Sequence, residues 1–428
     1  MSALKISTGI WYLGVLLFIY SCKPAEKSSV ELRLWAMGSE GEYVQKLLPD
    51  FEQENPSIRV NVQMIPWTAA QEKLITAYAS DNLPDLFQLG NTWVPQFAAL
   101  QALEKLDPWV QNSGSIKPEF YFTGIWNTNV IDNTLYGIPW YIDTRVLFYR
   151  SDVLAQAGFL SPPRTWNELY ELSQRIKKNA QKEQYAIFLP TNEWAPFVIF
   201  ALQAGSKILR DDDCYGDFTS AEFKRAFTFL IRFHQEKLAP IGISQVTNVY
   251  QAFADQFFVM YLSGPWNINE FKKWMKGDLA DKWMTAALPG PDEKTPGVSL
   301  AGGSSLVMNR KGKYKNETWK LIEYLSRPKI QTTFYQLLYD LPARTESWSD
   351  SVIRNDPYMR AFYEQFQHVV ATPKITEWEQ IAFSKIQQYA ELAARGVMPP
   401  EDVLRALEAD VNTILEKRRW LKSRDRNE

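Results

Sequence analysis

The chain has 428 residues, 46% hydrophobic and 22% charged, which excludes wholesale disorder and makes the length suit two or three domains. Lys and Arg number 47 against 49 Asp and Glu, so a net charge of −2 argues against a surface built to neutralise nucleic acid. Two His and two Cys leave little for a zinc site, a His-based triad or a disulfide scaffold, whereas 16 Trp, 20 Tyr and 24 Phe offer flat faces for stacking.

In chain order, Lys5 precedes an apolar run from Ile10 to Tyr20. That run is shorter than the roughly 20 residues a spanning helix needs, and residues 1–21 read as a signal peptide. Ser21-Cys22 resembles the lipobox of bacterial lipoproteins, in which the Cys is lipidated and becomes the new N-terminus, although Ile19 and Tyr20 depart from its usual pattern. A plain secretory signal and a Cys22–Cys214 disulfide are the alternatives. Residues 22–29 are short and polar, a tether between lipid and domain.

Val30–Trp35 alternates like a half-buried strand, Gly38–Gly41 breaks it, and Glu42 to Asn55 has helical spacing closed by Pro56. Ile58–Met64 is a second strand, Thr68–Ser80 a helix, and Pro84–Leu89 a third strand. Strand–helix–strand–helix–strand implies parallel pairing, with ligands outside the strand ends at Met37–Gly41, Ile65–Thr68 and Gly90–Trp93. Further on, strands are expected at Val146–Tyr149, Gln184–Leu189, Val259–Leu262 and Leu306–Met308. Helices are expected at Ser151–Ala157, from the capping pattern Thr165–Glu168, at Ala195–Ala204, and after Ser220. Beyond Met308 the pattern is largely helical: Glu317–Ser326, Lys329–Leu338, Phe362–His368, Thr376–Arg395 and Glu401–Arg418.

The sequence contains no phosphate loop, GxGxxG, HExxH, CxxC or nucleophile elbow. His234 lies on a Phe-rich helix and reads as structural, as does His368. Asp211–Asp213 with Asp217 reads as a solvated turn rather than a metal site. Glu40, Asp143, Glu193 and Glu377 each lie beside Trp or Tyr. Two such carboxyls can hydrolyse a glycoside, and carboxyls beside rings equally suit sugar binding without chemistry. Trp67, Trp93, Trp140 and Trp266 recur in loops after strands, where binding surfaces concentrate.

The whole chain from Val30 to Arg418 resembles the extracellular solute-binding proteins, family 1, that serve bacterial carbohydrate importers of the ABC type. The most specific stretch is Tyr136–Tyr149, similar to the family's first interlobe crossing. Pro84–Leu89, Ser263–Trp266, Gly302–Leu306, Leu341–Arg344 and Glu377-Trp378 follow in the family's order. The resemblance implies an α/β fold of the two-lobe, type II periplasmic-binding-protein kind, with a ligand cleft at a hinge. Residues 30–141 and 301–345 are expected in the N-terminal lobe, 142–300 and 346–428 in the C-terminal lobe.

It also implies ligand-binding roles for Ser39, Glu40, Trp67, Asn91, Trp93, Trp140, Tyr141, Asp143, Glu193, Trp194, Trp266 and Trp378; Trp35 fits less well. Arg145 touches sugar or holds Asp143; Gly302 and Gly303 admit a ligand or simply turn the hinge. Trp319, Trp348 and Trp420 are expected in cores, and Arg344 is read as structural. The implied protein is no enzyme and uses no metal or cofactor. It is a monomer, lipid-anchored through Cys22 and facing the periplasm or cell exterior, that closes on an oligosaccharide and presents it to a permease. A lipid-anchored glycoside hydrolase, a binder of a non-sugar solute, and a lipoprotein that only docks other proteins are the rivals.

Overall fold

The computed structural model describes residues 29–180, 183–241 and 246–425; the expected signal peptide, Cys22 and nearly all of the tether lie outside them. Ten strands frame the fold: β1 Val30–Met37, β2 Ile58–Ile65, β3 Leu86–Gly90, β4 Ile138–Asp143, β5 Val146–Arg150, β6 Tyr185–Phe188, β7 Phe258–Ser263, β8 Trp283–Ala286, β9 Gly302–Met308 and β10 Leu341–Pro342. They form two main sheets. A six-stranded sheet has the order β10-β4-β9-β3-β1-β2, and a four-stranded sheet the order β8-β5-β7-β6.

β1 pairs in parallel with both β2 and β3, as the alternating strand–helix pattern requires. β9 runs antiparallel between β3 and β4, so a strand from far along the chain completes the sheet's middle. In the second sheet β5 lies antiparallel between β7 and β8. The chain passes between sheets with only Thr144 and Arg145 separating β4 from β5. It returns beside this crossing: Gly302 pairs with Asp143, and Ser299 Oγ donates to Arg145 O at 2.9 Å and accepts the Arg145 N–H at 3.3 Å.

Local chemistry explains most element ends. Thr165 Oγ1 accepts the Glu168 N–H at 3.2 Å, while Glu168 reaches back to the Arg164 N–H at 2.7 Å. Ser220 caps the helix Ala221–Gln235 through the Phe223 N–H. The expected helix 42–55 is altered in two ways. Gly38 adopts φ +45°, so the chain turns straight from β1 into a helix over Gly38–Tyr43. Pro49 fits only a first turn, and a separate helix begins at Leu48. The run expected at 376–395 starts at Trp378 and passes through a π-helical turn at Ile381–Ile386.

One apolar core includes Leu34, Leu306 and Phe334 of the first sheet's surroundings, and extends to Phe148, Phe271 and Trp283 of the second sheet. A separate core gathers Ile187, Phe200, Phe227 and Leu404. Trp319 and Trp348 are buried, but Trp420 is 58% exposed. The expectation for Trp420 is corrected because it sits on the terminal helix Glu416–Asp425, which is mostly charged. There Arg424 lies 5.3 Å from its ring centroid. His234 is buried, with Nδ1 3.1 Å from Pro240 O, and burial pushes its pKa down to about 4, so it packs as a neutral structural side chain. Asp211–Asp213 form a turn of left-handed residues in which the Asp211 carboxylate meets Arg210 and the Asp212 carboxylate meets Lys422. Among the described residues no helix is long and apolar enough to cross a membrane.

Candidate functional site

A cavity of about 760 Å³ lies where the two sheets meet. Its first wall is built at the carboxyl ends of β1, β2 and β3, the open edge of a parallel sheet. The turn after β1 presents Ser39 and Glu40, Trp67 opens the helix after β2, and Asn91 and Trp93 lie in a 3-10 turn after β3. Trp67 and Trp93 meet edge to face, centroids 5.8 Å apart. Asn91 is held by Ser305, whose hydroxyl donates to Asn91 Oδ1 at 3.2 Å.

Behind this wall Gln88 is fully buried and organises the polar groups. Its Oε1 accepts the Met37 N–H at 2.8 Å, and its Nε2 donates to Tyr141 OH, Ser304 Oγ and Glu40 Oε1 at 3.1, 3.2 and 3.4 Å. The Tyr141 hydroxyl donates to Glu40 Oε1 at 2.6 Å. Burial raises the Glu40 carboxyl above its ordinary pKa, against the lowering effect of Tyr141 and Gln88.

Asp143 and Arg145 stand at the crossing itself. Arg145 Nη1 donates to Asp143 Oδ1 at 3.1 Å, its Nη2 lies 3.8 Å from Glu193, and its guanidinium sits 4.7 Å from the Trp266 ring centroid. One cation therefore joins a carboxylate from the first sheet to a carboxylate and a ring from the second lobe. Burial raises Asp143, while Arg145 pulls it back and Glu193 adds to the rise. Gly303 is required where it stands, and Gly302 leaves the room that the Asp143 carboxylate occupies. A Cβ on Gly302 would lie 2.2 Å from Asp143 Oδ1; Gly303 has φ +122°, and its Cβ would lie 2.3 Å from Tyr141 O.

The second wall carries Trp194, Trp266 and Phe383. Trp194 packs edge-on to Phe383 and to Trp378, with centroids 5.6 and 5.5 Å away. Glu379 reaches across to Thr92 and Trp93, and burial raises its pKa.

Of the residues proposed from sequence, Ser39, Glu40, Trp67, Asn91, Trp93, Tyr141, Asp143, Arg145, Trp194, Trp266, Gly302 and Gly303 line this cavity. Three do not. Trp378 is 0% exposed and lies behind Trp194, so it has no face to offer a ligand. Trp140 is buried, stacked on Phe334 at 4.9 Å, because it points to the opposite side of β4 from Tyr141. Glu193 touches the site only through Arg145. Trp35 is likewise buried in the sheet. The cavity also has lining residues that no loop motif flagged: Thr372, Asp340, Glu379 and Phe383. Phe383 lies within the π-helical turn, which from sequence reads as plain helix.

The cavity thus gathers charged and aromatic side chains from both walls, and the comparisons with known proteins say what such a chain is similar to. A profile of bacterial extracellular solute-binding proteins matches residues 46–361. The solved structure of the sugar-binding protein MalE from Xanthomonas citri is 44% identical, with a TM-score of 0.89, covering 92% of this chain and 99% of that one. A putative binding protein of Brucella abortus is 27% identical over 387 residues, 88% of this chain and 90% of its own. The galactooligosaccharide-binding protein of Bacillus subtilis is 22% identical over 422 residues, 94% and 95% of the two chains. The fold is the two-lobe α/β architecture of periplasmic binding proteins of type II. Because the profile spans most of the chain, this protein belongs to the bacterial extracellular solute-binding proteins, a family of binders rather than enzymes.

Proposed function

We propose that the chain is the substrate-binding component of an ABC-type importer, which captures a carbohydrate of more than one ring and delivers it to a membrane permease. The observation that carries this reading is the pairing of opposed aromatic walls, Trp67 and Trp93 against Trp194, Trp266 and Phe383, with carboxyls between them. Sugar C–H faces stack on rings while carboxyls accept hydroxyl protons, and a wrong sugar leaves a buried acceptor unpaired. The sugar-binding names of similar proteins support the same class. In this reading the first change of lobe falls at Thr144-Arg145, after β4 ends, rather than at the 141/142 expected from the resemblance; the later changes are taken near 300/301 and 345/346, and closure is hinge rotation about these crossings.

Calorimetry with a glycan panel (maltose, maltotriose, trehalose, diacetylchitobiose and galacto-oligosaccharides) tests it. The expected result is one-to-one binding of at least one glycan with no product released on long incubation. Binding of peptides or polyamines in place of every glycan would overturn the sugar assignment, and product release would favour the hydrolase.

The mature protein is proposed to be a monomer anchored through lipidated Cys22. Cys214 is buried, 3.6 Å from Asp212 O, so it offers little surface for a disulfide with the tether. Mass spectrometry of the membrane-extracted protein should find diacylglyceryl on Cys22, and Cys22→Ser should release the chain from membranes. A mature mass two hydrogens short and sensitive to reductant would establish the disulfide instead.

A further inference from the structure

No aromatic or loop motif marks Asp340, yet it lines the cavity. It follows Tyr339, whose φ of +65° is left-handed despite its bulk. That conformation is held by the Tyr339 N–H on Tyr335 O at 2.7 Å and by Lys272 Nζ donating to the Tyr339 hydroxyl at 3.1 Å. The turn delivers Asp340 to the cavity just before Leu341 and Pro342 join the sheet beside Ile142 and Tyr141.

Although Asp340 as a residue is partly exposed, its Oδ2 is buried and has no hydrogen-bond partner among the described residues. Native proteins rarely leave such an oxygen empty unless something else fills it. The charges acting on Asp340 are Glu40, from the turn after β1, and Asp143, from β4, and both are negative. Arg145 is engaged by Asp143 and Glu193, and the groups bonded to Glu40 are Tyr141, Gln88 and Trp67, none of them a cation. Burial, then Glu40, then Asp143 hold the Asp340 carboxyl well above the usual carboxylate range; burial raises Glu40 as well. Carboxyls that act on one another in this way titrate as an interacting pair.

We propose that Asp340 is a specificity-determining contact of the cleft: its carboxyl, which lines the cavity and keeps one oxygen without a partner among the described residues, meets a hydroxyl of the captured sugar. The inference rests on the sugar-binding reading above. A bound sugar excludes the water that reaches the pair, which favours the protonated form further. Binding therefore takes up a proton, and affinity is fully present below the pKa of the free pair and falls as pH rises past it.

The experiment is calorimetry with the tightest binder of the glycan panel, from about pH 5 to about pH 8.5, in buffers of different ionisation enthalpy. The wild type should take up protons and lose about tenfold or more in affinity across that range. Asp340→Asn should abolish the uptake and flatten the profile, without lowering the thermal midpoint of the ligand-free protein. Asp340→Ala should weaken binding about tenfold at the acid end. A wild type that binds glycan with no proton exchange, or with proton release, overturns this inference alone, and that measurement needs no variant. So does an Asp340→Asn protein that keeps the wild-type profile. A wild type that binds no glycan overturns both this inference and the reading beneath it.

Discussion

Trp378→Ala should cost about 3–5 kcal/mol of stability, the range for truncating a large buried ring, while Trp266→Ala should cost less than about 1. The two rings look alike in sequence, each in a short stretch that carries the family resemblance, Ser263–Trp266 and Glu377-Trp378. They differ in where their area goes. Trp378 is fully enclosed, packed edge-on to Trp194 in the second core, so its loss opens a cavity that its neighbours fill only in part. Trp266 is 45% exposed and leans on the Arg145 guanidinium. Its loss removes a stacking face and one contact that orients Arg145, so glycan affinity should fall about tenfold to hundredfold, equivalent to about 1.4–2.8 kcal/mol. Urea denaturation and calorimetry on the same two variants separate the effects. A Trp266→Ala protein with unchanged affinity would remove that ring from the site. A Trp378→Ala protein of full stability would mean that the second core is not packed as described.

Gly303→Ala should destabilise the crossing strongly, at about 3 kcal/mol or more. The left-handed backbone at φ +122° alone accounts for about 1–3 kcal/mol, and the added Cβ would meet backbone atoms, Tyr141 O at 2.3 Å and Ile142 Cα at 2.7 Å, that cannot turn aside. Gly302→Ala acts differently. Its Cβ would press on the carboxylate end of Asp143, which can rotate away. Stability should fall by less than about 2 kcal/mol, but Asp143 would leave Arg145 and affinity should drop about tenfold. Denaturation and calorimetry again read the two apart. Equal effects of the two substitutions on stability would show that the crossing tolerates the methyl group by moving its backbone.

The first two strands are legible because alternation is local, and the third because a short apolar run follows Pro84, so the loops after all three can be located from neighbouring residues. The loops that hold Ser39, Glu40, Trp67, Asn91 and Trp93 follow from that, since a parallel sheet opens at its carboxyl edge, and the family resemblance singles out the residues within them. The same logic fails one residue away. Trp140 and Tyr141 are adjacent, but a strand sends neighbours to opposite faces, and without β9 and β10 in place nothing says which face meets the cleft.

The aromatic richness and the paucity of His and Cys come from the sequence itself, because they depend on composition alone, whereas the two-lobe plan follows from the family resemblance carried by Tyr136–Tyr149 and the stretches after it. Which rings reach the solute, and the placement of Asp340, Glu379 and Phe383 around the cleft, depend on segments hundreds of residues from the first wall. Only the packing of the second lobe against the crossing decides those, since exposure is a property of what lies on top of a side chain and not of what lies beside it in sequence.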